Sequence, residues 1–352
     1  QGTVKDELVN FFFQSSKISV KNCSSGVTFV GISQNVPFQS KYNLNHDFCD
    51  FLNELADYEK NVNRNVHKYN AYRKASGVLA AYPTRIKSGD EARKLNGIGD
   101  KISKKIDEFL STGKLKKLDN IHNDESSIAI SLLTRVTGIG PAKARELVDQ
   151  GIKTLQDLEA YKDKLTHHQK IGLRYFDEFE KKIPRAEIEE IEHKLKRIIH
   201  DLDPAFTVTI CGSYRRGKAS SGDIDVLITH PSYISTSTIP KSQKGSRLKS
   251  VVTALQDAGL VTDTLSLGET KFMGVCKLET SIARRLDIRL TPFDQYSCST
   301  LYFTGSDVFN KTMRTHALEK GFTLNEYCLR PVGCTGINPN KHKDIQFKHF
   351  YI

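Results

Sequence analysis

The sequence lacks any long apolar run, any CxxC pair and any HExxH motif, and each absence removes a class of protein. Its longest apolar stretches, Ile128–Leu133 and Val78–Tyr82, fall far short of the roughly 18–20 residues of a membrane span. The seven cysteines (Cys23, Cys49, Cys211, Cys276, Cys298, Cys328, Cys334) are odd in number and unpaired in spacing. That argues against a disulfide framework or a zinc finger and for a reducing compartment. His167-His168 has no Cys partner nearby and reads as structural or phosphate-facing, so Cys- or His-based catalysis finds no support. The sequence starts at Gln1 without a secretory pattern, and the expectation is a soluble intracellular protein with no membrane attachment. With 38% apolar and 26% charged residues the chain is neither disordered nor membrane-like. Its 352 residues, at about 150 per domain, suggest two or more domains.

Positive charge is plentiful but concentrated. Between Lys60 and Lys117 there are 15 Lys/Arg against 5 Asp/Glu, a net of +10, so the rest of the chain contributes about +1 to the total of +11. A basic block of this kind is either a solvated face or a footprint for a polyanion, whose phosphates release counterions on contact.

Residues 1–40 hold five charges, seven serines and the triplet Phe11-Phe12-Phe13, with no sustained period. From Asn45 the pattern is helical: Phe48, Phe51, Leu52, Leu55 and Tyr58 recur at spacings of three and four. Further helices are predicted over Val66–Ala80, Ser88–Leu95 and Asp100–Leu110, the last ending at Gly113, which makes a small all-α domain. Helices continue over Ser126–Leu133, Pro141–Gln150, Leu155–Tyr161, His167–Glu180 and Arg185–His200. After Pro204 the β-branched runs Thr207–Cys211, Ile224–Thr229 and Leu286–Leu290 predict strands. The fold class is α+β multidomain, helical first and mixed α/β second.

One short motif occurs twice: Leu95-Asn-Gly97-Ile-Gly99 and Val136-Thr-Gly138-Ile-Gly140-Pro141, each just before a helix. Glycine permits a left-handed turn and the close approach of another backbone, and the free N–H groups at a helix start make an anion site. Pro141 suits a first helical position. The pair resembles the helix–hairpin–helix motif, which grips DNA phosphates without reading sequence.

The second signature is Gly212-Ser213, nine further residues, then Asp223-Ile-Asp225-Val. Residues i and i+2 of a strand share a face, so Asp223 and Asp225 present two carboxylates together. Two adjacent anions repel unless a cation lies between them, and hard oxygens suit Mg²⁺. Gly212-Ser213 sits at a strand-to-helix turn able to hold a triphosphate, with Arg216 to neutralise it. Asp287, on the strand Leu286–Leu290, supplies a third carboxylate. Three converging Asp residues hold two metals, one activating a 3′ hydroxyl and one bridging the triphosphate. The spacing matches the nucleotidyltransferase signature.

In the small basic domain Lys101, Lys104 and Lys105 crowd one helix, with Lys101 and Lys105 on one face. Neighbouring cations lower a lysine pKa and free its amine for nucleophilic work. Composition and spacing do not choose among the three, and plain phosphate contact is the alternative.

Asn45 to Gly333 resembles the family X DNA polymerases. The matching stretches are His67-Lys-Tyr-Asn-Ala-Tyr-Arg-Lys74, Phe179-Glu-Lys-Lys-Ile-Pro-Arg185, Gly268-Glu-Thr-Lys-Phe-Met-Gly-Val-Cys276 and Tyr302-Phe-Thr-Gly-Ser-Asp307. The resemblance implies a gap-filling, template-directed polymerase of base excision repair with an attached 5′-deoxyribose-phosphate lyase, nuclear and monomeric, acting on gapped or nicked DNA with deoxynucleoside triphosphates. It implies Asp223, Asp225 and Asp287 as the catalytic ligands of two Mg²⁺. It places Lys182, Ser213, Arg216, Gly222, Tyr302, Phe303, Gly305, Asp307 and Asn310 at the nucleotide and Arg314 on the template side. It selects Lys105 as the lyase nucleophile, with His67, Lys68 and Lys101 on the 5′ phosphate and Glu59 and Tyr72 assisting. The hairpin glycines Gly97, Gly99, Gly138 and Gly140 would face DNA. A monovalent cation, Na⁺ or K⁺, would sit on the backbone of Arg93, Leu95 and Ile98, and again on Thr134, Val136 and Ile139.

The implied organisation is an extension over 1–44, a lyase domain over 45–120 and a DNA-binding subdomain over 121–181. A catalytic palm over 182–292 and a nucleotide-selecting subdomain over 293–352 follow. Three features depart from the family: Lys104 replaces a Glu, Lys182 replaces an Arg and loses its bidentate fork, and the resemblance stops near Cys334. A template-independent nucleotidyltransferase and a non-catalytic DNA-end-binding protein are the alternatives.

Overall fold

The computed structural model describes residues 43–236 and 241–333, with two short strands, β1 (Lys21–Cys23) and β2 (Gly26–Thr28). The expectations for the rest of the N-terminal extension and for the tail beyond Gly333 lie outside the described residues. The chain separates into two compact units between Asp177 and Glu178.

The first unit is all helix. It contains α1 (His46–Asn61), α2 (Val66–Ala81), α3 (Gly89–Arg93), α4 (Asp100–Thr112), α5 (Lys116–His122), α6 (Glu125–Leu133), α7 (Pro141–Asp149), α8 (Leu155–Ala160) and α9 (His167–Arg174). The apolar spacing of α1 buries Phe48, Phe51, Leu52 and Leu55 against Ala75 and Leu79 of α2 and Ile102 and Ile106 of α4. Asn65 caps α2 and Ser88 caps α3 through their side chains, and α4 ends on Gly113 in the left-handed region. A second core under α6 to α9 gathers Ile130, Leu133, Leu147 and Leu158. The expected single helix over 167–180 is broken at Tyr175, and α10 (Phe176–Phe179) follows separately, with Phe176 turned into that second core. α5 has too few apolar residues to announce itself in sequence, and it spans the expected boundary at residue 120.

The second unit is built on a five-stranded sheet of order β4 (Thr207–Ile210), β6 (Ile224–Thr229), β9 (Arg284–Leu290), β8 (Lys271–Cys276) and β7 (Val261–Leu267). β6 and β9 run parallel and the other pairs antiparallel. α11 (Arg185–Leu202) buries Ile188, Ile191, Leu195 and Ile199, and α13 (Lys241–Asp257) buries Leu248, Val251, Val252 and Leu255, in one core with the sheet. A two-stranded pair, β3 (Ile183–Pro184) with β5 (Ser220–Ser221), and the turn helix α12 (Gly212–Arg215) flank β6. The chain continues through α14 (Tyr296–Thr304), α15 (Asp307–Glu319) and the hairpin of β10 (Phe322–Leu324) and β11 (Leu329–Pro331). Among the described residues no helix is long and apolar enough to cross a membrane, and Cys49, Cys211, Cys276, Cys298 and Cys328 are free thiols.

Candidate active site

Parallel pairing of β6 with β9 sets Asp225 opposite Asp287. Asp225 is the one position of β6 that is not fully buried, and Asp223 precedes the strand, exposed at its mouth. Burial pushes the Asp225 carboxyl up to about 7, the charges of Asp223 and Asp287 add to that rise, and Arg216 and Arg285 oppose it. Asp287 is raised by burial, against the pull of Arg285 and Lys271. The three carboxylates thus sense one another across the strand ends, with Asp287 hydrogen-bonded to Arg285. Among the described residues no three His, Cys, Asp or Glu side chains already converge on a metal position. The donor set nevertheless fits a hard divalent cation: three carboxylates on adjoining segments, whose mutual repulsion a bound cation would relieve.

Gly212 is fixed by this arrangement. Its φ is +57°, and a Cβ there would stand 2.4 Å from Asp225 Oδ2, so only glycine lets α12 start against the carboxylate. The Cys211 N–H donates to the Asp225 carbonyl at 2.7 Å, and Ser213 Oγ donates to Ser221 Oγ at 2.8 Å. Lys182 Nζ lies 3.6 Å from where a Cβ on Gly222 would stand.

Arg216 Nη1 donates to the Thr304 carbonyl at 2.6 Å, inside the segment Tyr302–Gly305. Tyr302 and Phe303 meet edge to face at 5.1 Å. Arg314 stacks over Tyr302 at 5.2 Å, and Asn310 Nδ2 donates to the Tyr302 carbonyl at 2.8 Å. Asp307 is exposed at the start of α15, 3.9 Å from Lys311. Contacts thus join Lys182 to the neighbourhood of Gly222, and Arg216, Asn310 and Arg314 to the segment Tyr302–Gly305.

Residues the sequence reading missed are Arg285, Arg289 and Lys271. A cavity of about 100 Å³ behind the carboxylates is lined by Cys211, Asp225, Lys271, Asp287, Arg289 and Phe303. Arg289 stacks over Phe303 at 4.7 Å. The signal for the two arginines was the strand period, since Arg285, Asp287 and Arg289 alternate on one face of β9, whereas Lys271 comes to the site only by pairing with Arg289 across β8 and β9.

In the first unit, Glu59 is 0% exposed in the core beneath α1, α2 and α5. Burial pushes its carboxyl up, but hydrogen bonds from Lys117 at 2.6 Å and Asn63 at 3.0 Å win and hold it low. Lys68 adds a third partner at 3.8 Å. Lys117 also lies over the rings of Tyr58 and Tyr72, at 5.5 and 5.9 Å. Lys105 is half-buried while Lys101, Lys104 and His67 are exposed. Burial lowers the Lys105 amine pKa and the charge of Lys117 lowers it further, with Glu108 and Glu59 pulling the other way. Lys117 is a fourth residue the sequence reading missed, since nothing in its spacing from Lys105 shows that the two meet.

The two hairpins match each other. Ile98 N–H donates to the Leu95 carbonyl at 3.1 Å and Ile139 N–H to the Val136 carbonyl at 2.9 Å. Arg93 ends α3 and Thr134 caps α6, in equivalent places. Gly97 and Gly138 have φ of +106° and +92°, which demands glycine. Gly99 and Gly140 are ordinary extended residues, exposed, and a Cβ on either would meet nothing within 4 Å. Packing does not demand glycine at these two positions, which are the N-caps of α4 and α7, where glycine is tolerated better than alanine.

Four family models match the chain in order: a helix-hairpin-helix domain over residues 43–115, the fingers domain of DNA polymerase lambda over 131–180, the DNA polymerase beta palm over 182–293 and the DNA polymerase beta thumb over 299–349. The chain belongs to the family X DNA polymerases. It is 36% identical over 298 residues to DNA polymerase lambda of Arabidopsis thaliana, a match covering 82% of the chain and 55% of the relative. It is 34% identical over 298 residues to DNA polymerase lambda of Rattus norvegicus, covering 83% and 50%. The chain thus spans about half the length of these curated relatives. Its family resemblance does not stop at Cys334 as expected, because the thumb match continues to residue 349. A divergent stretch is invisible to the recognition of short motifs but not to a comparison over the whole domain.

Proposed function

We propose that this family X polymerase fills short gaps in DNA by templated addition of deoxynucleotides and removes 5′-deoxyribose phosphate through a second site on its helical unit. The observation that carries the polymerase reading is the trio formed by Asp225 and Asp287, paired across parallel β6 and β9, and Asp223 just before β6, beside the glycine turn at Gly212-Ser213. Those three carboxylates would hold two divalent cations, Mg²⁺ by the chemistry of the donor set, which when bound lower the pKa of a primer 3′ hydroxyl and neutralise the triphosphate. Ser213, Gly222, Arg216 and Lys182 bind the triphosphate, Tyr302, Phe303 and Gly305 crowd the sugar, and Asp307, Asn310 and Arg314 line the base-pair side.

Lys105 supplies the lyase chemistry. Its amine adds to the C1′ aldehyde of the sugar, water leaves as the imine forms, loss of a C2′ proton expels the 3′ phosphate, and water then hydrolyses the imine to release the sugar and restore the amine. His67, Lys68 and Lys101 hold the 5′ phosphate, while Glu59, held ionised by Lys117, and Tyr72 assist. Gly97, Gly99, Gly138 and Gly140 face the DNA backbone. The carbonyls of Arg93, Leu95 and Ile98, and of Thr134, Val136 and Ile139, hold a monovalent cation. The domain limits expected above, a monomeric state and a nuclear site of action complete the proposal.

A one-nucleotide gap bearing a 5′-deoxyribose phosphate tests both sites in one substrate. Asp287→Ala should abolish extension and spare sugar release, and Lys105→Ala the reverse. Loss of both activities in either variant would sink the two-site assignment.

A further inference from the structure

Arg284 opens β9 on the wrong face for an arginine. Along this strand Arg284, Leu286, Ile288 and Leu290 are buried, while Arg285, Asp287 and Arg289 share the opposite, half-buried face. Core positions of a strand are apolar by default, and a buried guanidinium is costly unless its donors are matched. Arg284 is 6% exposed, and its donors go to the segment that precedes and begins α11. Nε and Nη2 donate to the two carboxylate oxygens of Glu187 at 2.8 and 2.7 Å. Nη1 donates to the carbonyl of Lys181 at 3.0 Å and approaches that of Lys182 at 3.5 Å. Next to it, the Ala283 N–H donates to the Glu178 carboxylate.

The far side of that segment is tied down as well. Ile183 pairs with Ser221 and Pro184 with Ser220, and Arg185 N–H donates to the Ala219 carbonyl at 2.9 Å. Residues 181–185 therefore lie strapped between the start of the strand that carries Asp287 and β5, which leads into Gly222. Lys182 is exposed at the middle of the strap, with its ammonium beside Gly222.

We propose that Arg284 is a positioning residue for nucleotide binding, fixing the backbone of Lys182 so that its ammonium meets the incoming triphosphate. This rests on the reading of that cleft as a deoxynucleoside triphosphate site. A lysine is a point charge on a flexible stem with no fork to orient it, so the place of its backbone decides where the charge acts. Arg284 reads two carbonyls and a carboxylate at once, which only a planar fork can do. It stands on the core face of β9, so it acts without touching the nucleotide.

The test replaces the whole ion pair, so that no buried charge is left alone: Arg284→Met with Glu187→Met, and Arg284→Met with Glu187→Gln should the first not fold. Three quantities are read. One is thermal melting. The second is equilibrium binding of the complementary deoxynucleoside triphosphate on gapped DNA with a dideoxy-terminated primer. The third is the rate of tryptic cleavage after Lys181 and Lys182 in the protein without DNA, located by mass spectrometry. Lys182→Ala, alone and combined, completes a double-mutant cycle. The paired variant should keep its melting temperature within a few degrees, bind nucleotide about tenfold more weakly, be cut faster at the two lysines, and add little to the loss caused by Lys182→Ala. Additive losses, or unchanged affinity with unchanged cleavage, would overturn the positioning role. A wild-type chain that binds no nucleotide on gapped DNA would overturn the reading of the cleft and this role with it. The cleavage rates would then still separate that failure from a failure of the strap.

Discussion

Burial acts on two residues of this chain in the same chemical sense, favouring the neutral form of the Lys105 amine and of the Asp225 carboxyl. In the proposed lyase step the neutral form of Lys105 is the nucleophile, and the charge of Lys117 favours that form further. Lys117→Gln removes that charge, which raises the Lys105 pKa. The pH profile of imine formation, followed by borohydride trapping on a 5′-deoxyribose-phosphate end, should move to higher pH. The rate at neutral pH should fall about three- to tenfold; an unmoved profile would show that Lys117 does not tune the amine.

Asp225 is the opposite case, a carboxyl that the fold would rather leave protonated. Its folded value of about 7 stands above the ordinary carboxylate value near ~4 in the unfolded chain. The folded state therefore holds the extra proton between those limits, and without divalent cation stability falls as pH rises from ~4 to ~7 and stays low above. Asp225→Asn should melt higher than wild type in chelator at neutral and higher pH, by a margin on the order of 1–3 kcal/mol that shrinks toward pH ~4. Added Mg²⁺ should stabilise the wild type and not the variant. Equal melting across the range would mean that the three carboxylates do not strain one another.

At the scale of elements, the hairpins separate glycines the fold needs from glycines it does not. A Cβ on Gly172 in α9 would lie 2.0 Å from the Thr137 carbonyl oxygen of the second hairpin, so Gly172 sets how closely helix and hairpin pack. Gly172→Ala should cost more than about 2 kcal/mol in denaturant unfolding. Gly99→Ala and Gly140→Ala, at helix N-caps, should cost no more than about 1 kcal/mol, yet weaken binding to gapped DNA measured by anisotropy. Unchanged DNA affinity in both would remove the hairpins from the DNA interface. The hairpins themselves were legible, because a left-handed glycine before a helix leaves a local mark in sequence. The packing role of Gly172 was not, since it depends on Thr137, a residue distant along the chain.

The same division between local and long-range cause runs through the whole molecule. Helices α1, α2, α4 and α11 and strand β6 follow from their apolar period, and Asp223 and Asp225 from their spacing. β7 and β8 escaped notice because β7 is a polar-rich edge strand and Gly274 interrupts β8, where a Cβ would collide with the Phe272 ring and the Asp263 carbonyl. The pairing of Asp225 with Asp287, of Lys105 with Lys117 and of Arg284 with Glu187 all join segments far apart in sequence, which only the folded chain displays. What these pairings build, a carboxylate trio beside the Gly212-Ser213 turn, carries the proposal of templated nucleotide addition, the central claim. The most direct measurement offers each of the four deoxynucleoside triphosphates singly, with Mg²⁺, to four one-nucleotide gaps that differ only in the template base. One added residue, and only with the complementary nucleotide, is the expected result. Addition irrespective of template, or tight gap binding with no addition, would contradict it.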